Sequence, residues 1–404
     1  MFDETLNERQ AHVDRLQLVA VAGLMLLGLA FVYSATAAGQ AEGATPLLRQ
    51  AWFRQLVWYG LGSVAAAAIA FVDYHTLARW SVVAYAISIL SLVLVLIPHI
   101  GSTHGWGAMR WIDLGPFQFQ PSEFAKLALI LSLANYLSRP LEELRQPRIF
   151  WSAIGMTLLP FVLVLKEPDL GSALILLPIA AAMLFVAGTP VRYLANLLGA
   201  GALVLTLLLA DVFFAPPGWF KIKLEDYQKH RLMVYFGMDF TPRNATAEQK
   251  IQARQLQDQK SYQVRQAQIS VGSGGLFGKG WRKGSQTALG FLPPGAAHND
   301  FIFSVIAEEK GFIGSVMVIA LYSAVLFTGI RIAGQARDRL GKLLAVGVVT
   351  LLFGHVFINI GMNIRLMPVT GIPLPLLSYG GSSVICSLIA AGMLQNVYIH
   401  RKGY

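Results

Sequence analysis

The sequence alternates between long apolar runs and short polar segments, which is typical of a chain that crosses a membrane several times. A helix needs about 20 apolar residues to span a bilayer. Ten runs reach or approach this length with few charges: residues 17–38, 52–72, 80–99, 122–137, 149–165, 170–186, 191–213, 301–330, 342–364 and 375–400. The pattern therefore predicts ten transmembrane helices.

Composition points to the same class of protein. Of the 404 residues, 55% are hydrophobic and 13% are charged, so the chain holds more apolar surface than one soluble core could bury. We predict an all-α polytopic integral membrane protein with a single domain over residues 1–404. Its one large loop, residues 214–300, joins the seventh and eighth helices.

Basic residues predict the orientation, because short cytoplasmic loops carry an excess of Lys and Arg. With the N-terminus in the cytoplasm, the cytoplasmic segments hold thirteen basic residues and the short outer loops and helix ends hold six. Both termini are therefore expected in the cytoplasm. The same topology makes the long loop extracytoplasmic.

The long loop is basic and contains a glycine-rich segment. Twelve Lys or Arg lie between residues 221 and 283, against six Asp or Glu in the loop through Asp300. Residues 246–268 predict a polar surface helix. The run ISVGSGGLFGKGWRKGSQ could then cradle a phosphate between backbone N–H groups, Lys279 and Lys283. The alternative is a solvated loop whose charge aids contact with the membrane.

Ionisable residues stand in four places where an apolar run begins or is interrupted. At membrane depth such groups are costly, so they indicate a site or a pathway unless a partner explains them. The four stretches are MRWIDLGPFQFQPSEFAKL (109–127), KEPDLGSAL (166–174), the residues around Asp300, and NIRLMPVTGIPLPLLSYGGSS (363–383). The predicted topology puts all four on the outer side, so we expect one cavity that opens outward.

Each stretch also has a structural interpretation. Glu123 and Lys126 are spaced to form a local ion pair on one helix face. Asp169 and Asp300 each precede a helix and could cap its first N–H groups, which stabilises a helix by ~1 kcal/mol. In the fourth stretch, three prolines prevent an unbroken helix. Irregular backbone at this depth survives where it is buried in protein or lines a wet cavity, which favours the cavity.

Five motifs carry a resemblance that covers nearly the whole chain. In order they are GAMRWIDLGPFQFQPSEFAKL, EPDLGSAL, YQVRQAQISVGSGGLFGKGWRKGSQ, HNDFIFSVIAEEKGF and MPVTGIPLPLLSYGGSS. With these motifs the sequence resembles the SEDS family of bacterial shape, elongation, division and sporulation proteins. Within that family, the proline at position 373 is more similar to the elongation-type members than to the division-type ones.

The resemblance implies a peptidoglycan glycosyltransferase. Its substrate would be lipid II, a disaccharide peptide on undecaprenyl pyrophosphate, polymerised at the outer face of the bacterial cytoplasmic (inner) membrane. The resemblance also implies two partners, a class B penicillin-binding protein that cross-links the new glycan and the elongation machinery. Nucleic acid is not among the expected partners.

The resemblance also assigns site residues. Asp300 matches the aspartate of the family's HTDFIF stretch, which is its best catalytic candidate. The positions regarded there as functionally important are matched by Trp111, Glu123, Lys126 and Asp169. Two departures stand out. The stretch FLPPGAAHND lacks a glutamate that the family usually has and is two residues longer, and residues 241–260 are extra, so the approach to Asp300 is expected to differ in shape.

The chemistry that fits is one direct displacement. Asp300 would act as general base and take the proton from the 4-hydroxyl of an acceptor sugar as that oxygen attacks the anomeric carbon of the donor. An α-linked pyrophosphate replaced by a β-1,4 bond implies inversion, so no covalent enzyme intermediate is required. The leaving pyrophosphate needs fixed cations, for which the candidates are Arg110, Lys126, Lys279 and Lys283.

The remaining site residues have supporting roles. We expect His298 to be a hydrogen-bonding neighbour of Asp300, and Trp111 to be a sugar-stacking surface or an interfacial anchor. The sequence shows no ligand cluster for a metal and identifies no cofactor, and a divalent cation at the pyrophosphate is left open.

Two other classes of function stay open from the residues alone. A flippase or transporter of lipid-linked precursor would need charges through the membrane depth and an internal repeat. A noncatalytic scaffold that recruits the cross-linking enzyme would have no need for Asp300. The charges cluster on one side and no clear repeat is present, which favours the enzyme.

Overall fold

The helices of the computed structural model follow the apolar runs of the sequence. The structure describes residues 13–37, 46–98, 100–102, 109–115, 117–214, 226–238, 247–292 and 294–401. In chain order its α-helices are α1 (Arg15–Ala37), α2 (Ala51–Phe71), α3 (Tyr74–Arg79), α4 (Ser81–Val95), α5 (Pro121–Leu137), α6 (Leu141–Leu144), α7 (Pro147–Lys166), α8 (Leu170–Ala187), α9 (Val191–Phe214), α10 (Asp226–Phe236), α11 (Ala247–Ser273), α12 (Ser285–Ala288), α13 (Pro294–Ala297), α14 (Ile302–Gln335), α15 (Arg339–Asn363) and α16 (Gly381–Ile399).

Each of the ten predicted spans contains one long helix. Seven described helices are long and apolar enough to cross a membrane, and α2, α4 and α5 occupy the other three predicted spans. The polytopic all-α membrane fold is therefore confirmed. The predicted ends at residues 38 and 99, both chain termini and part of the 241–260 insertion lie outside the described residues.

Two predicted helix boundaries differ clearly from the structure, and several short elements were not predicted. The last helix begins at Gly381 rather than at residue 375, because prolines keep residues 364–380 irregular. The eighth span extends to Gln335, with a break at Gly311. A small antiparallel sheet was not predicted. It consists of β1 (Gly101–Ser102), β2 (Trp111–Asp113) and β3 (Gln118–Phe119), in the order β1-β2-β3.

Helix α16 lies in the core and packs along α2 at small residues. A Cβ added to Gly392 would lie 2.6 Å from the carbonyl oxygen of Ala66, and one added to Gly62 would lie 2.6 Å from the side chain of Leu388. Small residues allow this close approach of two helices in a membrane, where packing rather than hydrophobic burial drives association. The contact fixes the position of the start of α16, which borders the site described below.

One end of the bundle gathers the segments predicted on the cytoplasmic side. Asp338 accepts hydrogen bonds from the hydroxyl of Tyr74 (3.0 Å) and from the amide of Gly341 at the start of α15 (2.9 Å). The guanidinium of Arg339 donates to the carbonyl oxygens of Arg139 (2.7 Å) and Ala187 (2.6 Å). The loops that follow α2, α5, α8 and α14 therefore share one end.

The described part of the long loop is mostly helical. The polar helix predicted at 246–268 is confirmed as α11, which packs along α14. The glycine-rich segment then lies against the broken helix α14. A Cβ on Gly278 would be 2.2 Å from the carbonyl oxygen of Glu309, and the amides of Lys279 and Gly280 donate to the carbonyls of Glu308 and Glu309, each at 3.0 Å.

Candidate active site

A cavity of about 490 Å³ lies where helices α2, α8 and α16 begin, at the end of the bundle opposite Asp338. All four stretches that the sequence singled out contribute to its wall. The lining residues are Arg54, Trp58, Arg110, Trp111, Gly115, Phe117, Gln118, Gln120, Ser172, Asn299, Asp300, Gly371, Pro373, Tyr379, Gly380, Gly381, Ser382 and Ser383. The predicted convergence of these stretches on one cavity is confirmed.

Asp300 lies in the turn before α14 with its carboxylate at the cavity. Its backbone carbonyl oxygen accepts hydrogen bonds from the side-chain amides of Asn359 (3.0 Å) and Asn363 (3.2 Å). The N-cap of α14 is Phe301, and no side chain of the described residues caps this helix. The interpretation of Asp300 as a helix cap is therefore wrong, and its carboxylate is available to a ligand.

The surroundings of Asp300 tune its acidity. Burial raises the pKa of this carboxyl to about 6, and the negative charge of Asp169 adds to that rise, while Arg231 and Arg110 oppose it. A carboxylate with this pKa is mainly ionised at neutral pH and can accept a proton during a reaction. That balance is what a general base requires.

Arg231 was not selected from the sequence, where it was one of twelve basic residues in the loop. It lies on α10, and its guanidinium donates to the carbonyl oxygen of Thr370 (3.1 Å). This contact brings the long loop to the segment that forms the wall beside Asp300. The positive charge of Arg231 also favours the ionised form of Asp300 and so lowers the pKa of its carboxyl.

Arg110 and Trp111 both line the cavity, as predicted. Trp111 lies in β2. The guanidinium of Arg110 donates to the carbonyl oxygens of Glu167 (3.3 Å) and Pro168. These bonds hold the cation beside the turn between α7 and α8, within electrostatic range of Asp300.

Asp169 is a helix cap close to the cavity. Its carboxylate accepts from the amide of Ser172 (3.1 Å) at the start of α8, so the capping interpretation is confirmed. The other carboxylate oxygen accepts from the side chain of Gln120 (3.4 Å), which lines the cavity. Asp169 therefore acts on the site through its charge and through Gln120.

Glu123 and Lys126 form the predicted ion pair on one helix face, and the pair is buried. Their charged atoms are 2.7 Å apart, and both residues are almost completely buried. The Lys126 ammonium also donates to Nε2 of His355 (2.8 Å), whose Nδ1 lies 3.3 Å from the carbonyl oxygen of Pro373. An ammonium has no acceptor capacity, so His355 carries its proton on Nδ1. Through His355 the ion pair therefore supports Pro373, which lines the cavity. Lys126 itself does not line the cavity.

The two loop lysines are not brought to the cavity. The ammonium of Lys279 pairs with Glu308 (2.6 Å) and donates to Ser285 (2.7 Å), and Lys283 is exposed. The glycines of this segment serve its close approach to the backbone of α14. Their proposed role in cradling a phosphate has no support from these contacts.

The backbone of His298 helps to hold the site in position. Its carbonyl oxygen accepts from the amide of Tyr379 (2.9 Å), and the two rings lie with their centroids 5.3 Å apart. This bond joins the turn before Asp300 to the turn before α16. His298 itself is not among the lining residues, whereas Asn299 and Tyr379 are.

Three further residues at the site were missed by the sequence analysis. Arg54 and Trp58 are one turn apart on α2, and Trp58 packs against Phe117 with ring centroids 5.2 Å apart. Glu167 is fully buried, and among the described residues its carboxyl oxygens have no hydrogen-bond partner. Burial and the nearby Asp169 raise its pKa to about 9, against the attraction of Arg110. For Arg54 and Trp58, the signal available in the sequence was their spacing of one helical turn, which places both on one face of α2.

Among the described residues, no group of three or more His, Cys, Asp or Glu could hold a metal ion. The polar groups that face the cavity are instead two arginines, one carboxylate, and several amides and hydroxyls. This set can position an anion and accept a proton.

Comparisons with known proteins give consistent matches over nearly the full length. Residues 14–403 match the family model of FtsW, RodA and SpoVE, described as "Cell cycle protein". Peptidoglycan glycosyltransferase MrdB of Escherichia coli strain K12 is 34% identical over 391 residues, which cover 96% of this chain and 95% of that protein. Peptidoglycan glycosyltransferase RodA of Treponema pallidum is 33% identical over 435 residues, with 95% and 97% covered.

Two solved structures share the fold. One is a chain from a structure on the coordination of polymerization and crosslinking by a peptidoglycan synthase complex. It aligns with a TM-score of 0.74 at 30% identity, and the alignment covers 96% of this chain and 98% of that chain. The crystal structure of Thermus thermophilus rod shape determining protein RodA aligns with a TM-score of 0.64 at 30% identity, with 97% and 98% covered.

Proposed function

Because the chain belongs to the cell cycle protein family of FtsW, RodA and SpoVE, we propose that its cavity polymerises lipid II into β-1,4-linked glycan. The chain is a peptidoglycan glycosyltransferase, in agreement with relatives of that name that are 33–34% identical over nearly their whole length. Those names do not favour the flippase alternative. The proline at position 373 supports assignment to the elongation type.

The observation that carries the mechanism is the Asp300 carboxylate in a cavity that also contains Arg110. A raised pKa of about 6 suits a general base, and a cation within electrostatic range suits a reaction that releases a diphosphate. A noncatalytic scaffold would need neither feature. The gathering of these groups by separate segments of the chain supports a reaction at this place.

In the proposed reaction, the 4-hydroxyl oxygen of the acceptor sugar attacks the anomeric carbon of the donor. The new carbon–oxygen bond forms as the bond to the diphosphate breaks, and the bonding electrons leave with the diphosphate. Asp300 takes the hydroxyl proton. Configuration at the anomeric carbon inverts in this single displacement, and a base of this kind contributes typically ~10²–10⁴-fold to the rate.

The other residues support this reaction in stated ways. Arg110 stabilises the charge that develops on the diphosphate, and Trp111 offers an aromatic face to a sugar ring. Asp169 holds Gln120 at the wall, His298 holds the turn before Asp300, and the Glu123–Lys126 pair supports the wall at Pro373. Lys279 and Lys283 lie outside the cavity and could act on a substrate only as it approaches.

The proposed location is the outer half of the bacterial cytoplasmic membrane. The chain is a multi-pass membrane protein, and the excess of basic residues in the loops near Asp338 and Arg339 favours that end as cytoplasmic. The cavity and the long loop, residues 214–300, then face the outside. With this orientation both termini lie in the cytoplasm.

A class B penicillin-binding protein is the proposed partner, together with the elongation machinery. The similar chain of known structure belongs to a peptidoglycan synthase complex in which polymerization and crosslinking are coordinated. A transpeptidase bound to this chain could cross-link strands as they emerge.

The experiment that tests the function is glycan synthesis from purified lipid II by the full chain, alone and with a class B penicillin-binding protein. We expect long glycan strands from at least the partnered protein. A protein that makes none, yet moves labelled lipid II across a liposome bilayer, would support the transporter instead. Equal and negligible activity in both assays would favour the scaffold.

A further inference from the structure

The first turn of α16 is an uncapped helix start that borders the cavity. No side chain of the described residues caps it, and the first amide with a backbone acceptor is that of Val384, which donates to Gly380 at 3.0 Å. In the described part of the chain, the N–H groups of Gly381, Ser382 and Ser383 have no acceptor, and all three residues line the cavity. Free N–H groups and the helix dipole together favour an anion at such a place.

The hydroxyl of Ser383 supplies a second, independent indication. Ser383 is 7% exposed, and its hydroxyl has no hydrogen-bond partner among the described residues. Because Ser383 lines the cavity, this hydroxyl is free to bind a ligand there. The neighbouring Ser382 differs, because its hydroxyl donates to the carbonyl of Gln118 (2.7 Å) and accepts from the amide of Gln120 (3.0 Å).

Arg54 adds a cation to the same part of the wall. Its Nε donates to the carbonyl oxygen of Leu48 (3.1 Å), and no carboxylate pairs with it among the described residues. Gln55, the next residue, holds the chain just before α16, donating to the carbonyl of Ser378 (3.1 Å) and accepting from the amide of Gly380 (3.4 Å). Helix α2 therefore positions both the cation and the helix start.

The helix start is also tied to the segment that carries Asp300. The hydroxyl of Ser378 donates to the carbonyl of Asn299 (2.5 Å), and the amide of Tyr379 donates to the carbonyl of His298 (2.9 Å). These two bonds connect the residues immediately before α16 with those immediately before Asp300. A base and an anion held at a fixed separation are what an inverting displacement of a diphosphate needs.

We propose that Ser383, the free amides of residues 381–383 and Arg54 form the subsite that holds the diphosphate of the polyprenyl-linked donor. The assignment rests on the proposed glycosyltransferase function, in which the diphosphate bound here is the leaving group. As the bond from the anomeric carbon to the diphosphate oxygen breaks, the negative charge forms at the positive end of α16. Arg110, held beside the turn between α7 and α8, supplies a further positive charge to the diphosphate from another part of the wall.

The test is direct binding of farnesyl diphosphate to the purified full chain in detergent, measured by calorimetry. Ser383→Ala and Arg54→Gln should each raise the Kd about tenfold, as expected for loss of a hydrogen bond or charge at an anion. Ser387→Ala is the matched control, since its hydroxyl donates to the carbonyl of Ser383 (2.7 Å) one turn further along and does not line the cavity. Thermal unfolding of each variant checks that it is folded.

Phosphatidylglycerol added to the micelles distinguishes a donor diphosphate from a membrane lipid phosphate. We expect little displacement of farnesyl diphosphate by an equal amount of this lipid. Equal displacement would overturn the diphosphate assignment, as would wild-type affinity in both folded variants or no binding by the wild type. Glycan synthesis is not the readout of this test. A chain that binds the diphosphate here but makes no glycan would support the proposed subsite and contradict the proposed polymerase function.

Discussion

Gly371 lies directly against the carboxylate of Asp300. Its φ is +75°, a left-handed conformation that glycine adopts freely, and a Cβ at this position would be 3.4 Å from Oδ2 of Asp300. The wall opposite the candidate base is therefore bare backbone. A side chain at position 371 would therefore occupy space beside the carboxylate.

Gly371→Ala should reduce glycan synthesis beyond its effect on stability. The strained φ costs roughly 1 kcal/mol, and the methyl group would lie in van der Waals contact with the carboxylate that must accept the proton. Gly290→Ala is the control, because Gly290 has φ +70° but a Cβ there meets nothing within 4 Å. Both variants should have slightly lower unfolding midpoints, and Gly371→Ala alone should be at least about tenfold slower. Equal rates for the two variants would contradict this.

Arg231→Gln should move the acid limb of the pH–rate profile to higher pH. The Arg231 charge lowers the pKa of Asp300, so without it the base is protonated at a higher pH than about 6. Rates measured between about pH 5 and 8 would show the shift. Arg254→Gln removes one charge from an exposed position on α11 and should leave the profile unchanged. An unshifted limb in Arg231→Gln would exclude the coupling.

Glu167→Gln should preserve activity, because a carboxyl with a pKa of about 9 is already neutral at pH 7. Its stability effect has a definite sign. The folded pKa lies above the unfolded value, so the wild type loses stability as pH rises from about 4.5 towards 9. The glutamine variant lacks this loss and should unfold a few degrees higher than wild type at about pH 8. A lower midpoint at that pH would mean that Glu167 is ionised.

Lys126→Met should destabilise the protein by about 3–5 kcal/mol, because it leaves the Glu123 carboxylate buried without its partner. The double variant Glu123→Gln with Lys126→Met removes both charges and should recover most of that loss. Unfolding midpoints in detergent compare the three proteins. If the double variant is no more stable than the single one, the buried pair is not coupled as its geometry indicates.

The membrane fold and the gathering of the site were predictable from the sequence for a physical reason. An apolar run of membrane length forms a transmembrane helix in most proteins. Charged residues at helix ends on the same side of the membrane are costly in lipid, so they are expected to face a shared cavity. Asp300 could be selected because a carboxylate beside a long apolar run is unusual. Its role in catalysis stays a prediction.

Residues that act through three-dimensional packing were not predictable. Glu167 lies in the selected stretch KEPDLGSAL, but the local pattern does not show that it is fully buried, with its carbonyl bonded to Arg110 from 57 positions away. Lys126 could be selected as a charge, but its bond to His355 joins residues 229 positions apart. The glycines near Lys279 suggested a phosphate loop, whereas their function in the fold is close contact with α14. Local pattern does not distinguish these uses of glycine.

The most direct measurement of the central claim is the initial rate of glycan synthesis from lipid II by Asp300→Asn, with Asp258→Asn as the control. Asp258 is an exposed aspartate on α11, so its replacement removes the same charge from the long loop without touching the cavity. With both variants folded and bound to the transpeptidase partner, Asp300→Asn should be slower by ~10²–10⁴-fold and Asp258→Asn should match wild type. A wild-type rate for Asp300→Asn would show that this carboxylate is not the base.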